Sequence, residues 1–289
     1  MNPSPRAGFL FALSAYLLWG ILPLFFRAAE HIPALELVAH RAIWSLPSAL
    51  IVMALMGRLR EIPPLLRDLS LMKIMALTAF LISINWLIYV WAVSVEKTAE
   101  TALGYYINPL ITVALGVLLL GEGLNRAQKF AIALAAAAVL MRTIAEGILP
   151  WIPLLLALTF AAYGYIRKTV SVGPTQGFML EVILIAPFGL AYAIWLAWNG
   201  LGHFSGGDIG WLVACGPVTA APLILYAFGA KGLRLATLGL MQYIAPSIIF
   251  IIAIGVFGEP LGFWQGLTFV MVWTALVVYS VSTFRRSGS

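Results

Sequence analysis

The stretch ELVAHR places Glu36, His40 and Arg41 in residues 33–57, which carry no other charged side chain. At bilayer depth an ionised side chain costs about 2.5–3.5 kcal/mol on insertion scales, so each of the three asks for a function. His40 changes charge near neutral pH and suits a proton-sensing group. Arg41 suits a gate, or the anchor of a carboxylate that its planar guanidinium meets with two parallel hydrogen bonds. Glu36 and His40 stand one helical turn apart and are expected to pair, whereas Arg41 falls about 140° round from Glu36 and needs another partner. A helix starting near Pro33 sets His40 and Arg41 about 10–12 Å from its first residue, and Arg41 keeps the reach to snorkel outward. The alternative role for all three is a structural network that fixes this helix against its neighbours.

Uncharged polar groups form a second set. SINWLIYVWAV carries Asn85 and Trp86 in the middle of an apolar run, with Tyr89 one turn beyond Asn85 on the same face. A buried amide needs hydrogen-bond partners, from a neighbouring helix or from a ligand. GYYINP then brings Tyr105, Tyr106 and Asn108 ahead of Pro109, and MQYIAP brings Gln242 and Tyr243 ahead of Pro246. Proline inside a helix removes one backbone hydrogen bond and frees a carbonyl, which makes Pro109 and Pro246 candidate hinges. Aromatic and amide side chains beside both prolines suit a cavity for a small amphipathic solute; packed tyrosines around ordinary kinks are the alternative. Trp19 and Tyr163, each followed by a glycine, extend the same set.

These residues need elements that hold them away from water, and the composition supplies them. The chain has 289 residues, 62% hydrophobic and 10% charged, with mean hydropathy +1.00, against roughly 25% charged in soluble domains. Apolar windows closed by polar residues predict ten membrane-spanning helices at roughly 7–27, 33–57, 71–95, 101–120, 127–144, 148–168, 176–198, 208–229, 237–258 and 262–283. Each suffices for a hydrocarbon core near 30 Å at about 1.5 Å per residue. The alternating pattern of transmembrane strands is absent. The first window exceeds a signal-peptide apolar region and is kept as a span. Thirteen of the seventeen Lys and Arg residues fall on the side of the termini and three on the other, with Arg41 inside the second span. By the positive-inside rule both termini are expected in the cytoplasm.

The chain also repeats itself. GYYINPLITVALGVLLLGE, from Gly104, and MQYIAPSIIFIIAIGVFGE, from Met241, agree at Tyr106/Tyr243, Ile107/Ile244, Pro109/Pro246, Ile111/Ile248, Gly121/Gly258 and Glu122/Glu259. LWG at Leu18–Gly20 answers AYG at Ala162–Gly164, and Glu36 answers Glu181. The copies lie five predicted spans apart. An odd number reverses polarity, so residues 1–146 and 147–289 are expected to form two inverted five-helix repeats, an arrangement suited to alternating access. Glu122 and Glu259 are read as structural groups ending the repeated helices.

Other chemistry lacks its residues. His31, His40 and His203 lack metal-ligand spacing, Cys215 is the single cysteine, and neither a phosphate-binding G-x-x-x-x-G-K-[ST] loop nor a G-x-S-x-G elbow occurs. No metal or cofactor is expected. The basic residues form no stripe suited to nucleic acid, and oligomeric state is left open. A membrane sensor or intramembrane enzyme would require an output domain or a paired catalytic acid and base, and neither is present.

The segments AYLLWGILPLFFR, ELVAHRAIWS, INWLIYVWAV, LGYYINPL, YGYIRK, LATLGLMQYIAPS and FGEPL resemble, in order and over essentially the whole chain, the RarD branch of the EamA family in the drug/metabolite transporter superfamily. That resemblance implies an all-α protein of ten transmembrane helices in the bacterial inner membrane, exporting small molecules. It leaves open whether the cargo is amino acids, as for the related YddG exporters, or chloramphenicol-like drugs.

Overall fold

The computed structural model describes residues 4–120, 125–233 and 241–287. Gly121 and Glu122 of the repeated motif lie outside the described residues. Among the described residues ten principal helices follow the predicted order: α1 (Pro5–Ala28), α2 (Ala34–Leu55), α3 (Leu69–Ser94), α4 (Thr98–Leu120), α5 (Arg126–Glu146), α6 (Trp151–Thr169), α7 (Pro174–Trp198), α8 (Asp208–Gly232), α9 (Ile244–Ile251) and α10 (Phe263–Ser287). A short 3-10 turn, Leu59–Glu61, and a one-and-a-half-turn helix, Ile62–Arg67, connect α2 to α3. Seven of the described helices are long and apolar enough to cross a membrane; α6 and α9 contribute shorter apolar segments. The chain is therefore a polytopic helical membrane protein.

Local chemistry sets the helix starts. Ser4 accepts the Ala7 N–H at 3.3 Å and Pro5 takes the first helical position of α1. Asp68 accepts the Leu71 N–H at 3.0 Å ahead of α3. Asn125 and Gln128 exchange side-chain-to-backbone bonds in a capping box at α5, and Gly147 ends that helix at φ 68°, where a side chain would be strained. Each device satisfies amide groups that a helix end leaves open. After Ile251 the backbone of α9 loosens into a π-helical turn, Ile252–Val256.

Contacts between helices obey a two-fold pattern. α1 packs against α8 and α9 as α6 packs against α3 and α4, while α2 meets α7, α4 meets α9 and α5 meets α10. These last pairs join counterparts of the repeat, and all three run antiparallel. Ala39, early in α2, lies against Gly189, late in α7. Thr98 and Ala99, opening α4, give their N–H groups to Glu259, just past α9, at 2.8 and 2.9 Å. Gln265, opening α10, shares Glu100 with Arg142 near the end of α5. Such pairing is what an inverted repeat produces.

Lipid gives apolar side chains no reason to leave it, so close approach and polar bonds hold the helices together. A Cβ on Gly189 would stand 2.7 Å from the Ala39 carbonyl oxygen, and one on Gly104 3.0 Å from the Pro153 carbonyl oxygen, so both helix pairs need glycine. Phe26, Leu37, Leu103, Leu156 and Phe269 fill the space between.

Glu259 performs the structural role expected of it, as a cap: a buried carboxylate taking two of the four amides that the start of α4 leaves open. Replacing Glu259 by Ala strands both N–H groups and is expected to lower stability by about 2 kcal/mol. Thermal unfolding in detergent measures this as a lowered Tm. Gly164→Ala, where an added Cβ meets nothing within 4 Å, should leave Tm unchanged or raised.

Candidate functional site

A cavity of about 630 Å³ opens between the helices. Its wall includes Asn85, Trp86 and Tyr89 of α3, Tyr105 and Asn108 of α4, Trp19 of α1 and Tyr163 of α6, together with Gln242 and Pro246 from the second copy of the repeated motif. It extends to Ala49 and Met53 in the last turns of α2 and to Pro174 at the start of α7, and so reaches one end of the bundle. At the other end the two repeats are tied together. His203 meets Glu36 through its backbone N–H and its Nδ1, each at 2.8 Å, and His31 Nε2 lies 2.9 Å from Asp208 Oδ1. Glu259 adds its bonds to the start of α4. None of these groups lines the cavity.

Arg41 is on the cavity wall, 6% exposed. Its Nε donates to Thr219 Oγ1 of α8 at 2.7 Å, and its guanidinium stacks over the Trp86 ring at 4.2 Å and the Phe26 ring at 5.7 Å. Among the described residues no carboxylate lies within ion-pair distance of it. It points inward, not outward to the interface, because the aromatic faces and the Thr219 hydroxyl hold the fork over the cavity. A cation held by a π-face and a neutral hydroxyl retains donors for an anion.

The expected Glu36–His40 pair does not form. Glu36 sits in the first turn of α2, where the loop after α7 crosses it, so His203 takes both carboxylate oxygens. The His40 ring instead turns along its own helix, where Nδ1 accepts from Trp44 Nε1 at 3.3 Å, and stands 5.6 Å from the Phe204 ring. Its Nε2 is buried with no hydrogen-bond partner. Neither Glu36 nor His40 touches the cavity.

Tyr106 and Tyr243 also lie elsewhere. They stack on one another at 6.5 Å, the Tyr106 hydroxyl is 2.6 Å from Ser247 Oγ, and both border a separate groove with Trp273. The helical period accounts for the split, since Tyr105 and Tyr106 point about 100° apart and Tyr106 is turned towards Ser247 and Trp273. Pro109 lies inside α4. Pro246, on the cavity wall, has no N–H for the Gln242 carbonyl one turn earlier.

Three wall residues had little sequence signal. Glu181 is noticed only as the counterpart of Glu36, Arg167 only as one of many loop-flanking charges, and Thr219 is a lone hydroxyl between Pro217 and Pro222. In the fold Tyr163 donates to Glu181 Oε2 at 3.1 Å, and Arg167 Nε stands 3.7 Å from Glu181 Oε1.

Asn85 combines both roles open to it. It lines the cavity, while its Nδ2 donates to the Leu156 carbonyl and Thr159 Oγ1, each at 3.0 Å, joining α3 to α6. Asn85→Leu is expected to cost about 1 kcal/mol of stability through these lost bonds. A lowered Tm in detergent would show it; an unchanged Tm would mean that the amide contributes nothing to helix association.

The EamA-like transporter family profile matches residues 6–144. An uncharacterized transporter of Pseudomonas aeruginosa is 40% identical, the match covering 97% of this chain and 95% of that protein. Protein RarD of Escherichia coli K12 is 36% identical over 98% of each chain. A solved crystal structure superposes with a TM-score of 0.61 over 94% of this chain and 96% of the other; at 18% identity this is a likeness of fold. Near full-length identity of this degree, carried on a helical membrane bundle with a cavity between antiparallel counterparts, makes the chain a member of the EamA-like transporter family in the drug/metabolite transporter superfamily, alongside proteins named RarD.

Proposed function

We propose that this protein is a secondary transporter that exports small amphipathic metabolites, amino acids first, by alternating access through the central cavity. The observation that carries the reading is Arg41: a cation without a carboxylate partner among the described residues, set over Trp86 on the wall of an otherwise largely apolar and aromatic cavity. A solute bearing a carboxylate and an apolar side chain satisfies both features at once. The carboxylate supplies the missing counter-charge, and the side chain lies on Trp19, Trp86 and Tyr105. Asn108 and Gln242 remain on the wall as amides for the rest of the polar end. Residues 1–146 and 147–289 are the two units that rock against each other, with Pro109 and Pro246 as hinges. The excess of Lys and Arg on one side supports cytoplasmic termini in a bacterial inner membrane. In that orientation the end tied by Glu36, His203, His31 and Asp208 faces outward and the cavity opens towards the cytoplasm, where an exporter loads.

Counterflow in proteoliposomes tests this. Vesicles preloaded with unlabelled leucine or phenylalanine are expected to take up the labelled amino acid. Counterflow of labelled chloramphenicol, unaffected by amino acids, would replace this reading with drug export. Arg41→Gln should weaken leucine binding about 10- to 100-fold, the loss of one charge-assisted contact of about 1.5–3 kcal/mol. Leucine amide, which lacks the carboxylate, should bind the variant and the native protein alike.

A further inference from the structure

The two ends of the bundle treat their charges differently. At the closed end Arg27 meets Glu30 and Glu96, Arg142 meets Glu100 and Glu146, and Lys97 stands over the Trp91 ring. At the open end the connector between α2 and α3 carries Arg58, Arg60 and Arg67, and Lys73 follows early in α3. Arg58 is paired with Glu61 at 2.9 Å. Arg60, Arg67 and Lys73 are exposed, and among the described residues none of them has a carboxylate within ion-pair distance. The two acids of this segment are engaged elsewhere, Glu61 by Arg58 and Gln176 and Asp68 by the Leu71 N–H that it caps.

The connector is pinned to the bundle. Leu59–Glu61 runs on into Ile62–Arg67 through helical backbone. Ile62 is 6% exposed and packs with Leu71, Met75, Met179 and Leu180, while Glu61 holds Gln176 in the first turn of α7. With Ile62 turned inward, Leu59 and Leu66 stay exposed beside it, and Leu69 is 74% exposed at the start of α3. Arg60 and Arg67 are seven positions, about two helical turns, apart and leave the same side of the connector.

A turn facing only water has no use for three exposed leucines, and a turn sunk in hydrocarbon could not carry three unpaired cations. Both sets belong at the boundary, where leucines enter the acyl region and the stems of Arg and Lys reach up to the headgroups. A zwitterionic headgroup brings a phosphate already balanced by its own ammonium; an anionic headgroup brings one that needs a cation. A small anion diffusing in water would satisfy the cations but not the leucines.

We propose that this connector is a binding surface for anionic phospholipids, with Arg60, Arg67 and Lys73 on the headgroup phosphates and Leu59, Leu66 and Leu69 among the acyl chains. None of the six lines the cavity, and the surface does not depend on what the cavity carries. Through Glu61 and Gln176 the connector joins the first repeat to the second beside the cavity mouth, where Met53 and Pro174 stand. A lipid held there sits at the junction of the two repeats.

The test equilibrates the full chain in vesicles of phosphatidylglycerol and phosphatidylcholine with matched acyl chains, releases it into mild detergent and counts the retained lipids by native mass spectrometry. The native protein is expected to retain phosphatidylglycerol in preference. Arg60→Gln, Arg67→Gln and Lys73→Gln, singly and together, should weaken that preference about 5-fold for each charge removed, with phosphatidylcholine retained as before. In phosphatidylcholine alone the triple variant should keep the native Tm, because the three cations have no partner in the fold to lose, and this also shows that the variant is folded. Equal retention of the two lipids by the native protein, an undiminished preference in the triple variant, or a lowered Tm in phosphatidylcholine would each overturn the proposal. Displacement of the lipid by millimolar inorganic phosphate would overturn it in favour of a site for a free anion.

Discussion

A charge inside a lipid-embedded bundle is stable only where opposite charge or donors replace the water it has lost. At the closed end this demand is met throughout. Glu36 has two bonds to His203, Glu259 takes two backbone amides, and Arg142 holds both Glu100 at 2.5 Å and Glu146 at 2.9 Å. Several of these contacts cross from one repeat to the other, so satisfying the charges and closing that end are one event. In the cavity the demand is met only in part. Arg41 has a hydroxyl and two ring faces but no carboxylate within ion-pair distance among the described residues, while Glu181 has a phenol and the Arg167 guanidinium at 3.7 Å. The difference marks which groups serve the architecture and which remain available to something that enters.

The duplicated topology gives this division its form. Antiparallel counterparts, α2 with α7, α4 with α9 and α5 with α10, share the same pairwise contacts but not the same side chains. The helix contacts repeat and the polar bonds do not: among the described residues the closed end carries several cross-repeat carboxylate bonds, from Glu36 and Glu259, whereas the opposite end has the bond from Gln176 to Glu61. A switch between two arrangements needs them to be close in free energy. Under the alternating-access proposal, shared helix packing would leave the few polar bonds at either end to set that balance. The π-turn after Ile251 falls next to the cap that Glu259 provides, a loosened stretch of backbone beside a fixed one.

Much of the architecture was legible along the chain because a bilayer admits few solutions. Long uncharged runs can only be helices there, and a motif repeated five spans later can only be inverted. The helix order and the presence of aromatic, amide and charged side chains at bilayer depth follow from that. The individual pairings do not. Glu36 and His40 share a helix face, and a rule about neighbours on one helix joins them, but the loop bearing His203 arrives from far along the chain and binds the carboxylate first. Tyr106 and Tyr243 carry the most evident identity in the repeat, and that identity reflects their packing on each other, while the less alike Tyr105 and Gln242 face the cavity.

Hydropathy and periodicity, being local properties, thus determined by themselves that the protein is an all-helical bundle in lipid, that it is built twice over, and which residue types lie at bilayer depth. Tertiary structure alone decided which of those groups meet: that Arg41 faces Thr219 and Trp86, that Glu36 is spent at the closed end, and that Glu181 meets Tyr163 and Arg167 on the cavity wall. The physical reason is one of range. A span forms from its own residues because the bilayer rewards each of them separately, whereas a buried charge finds its partner only after distant segments have packed.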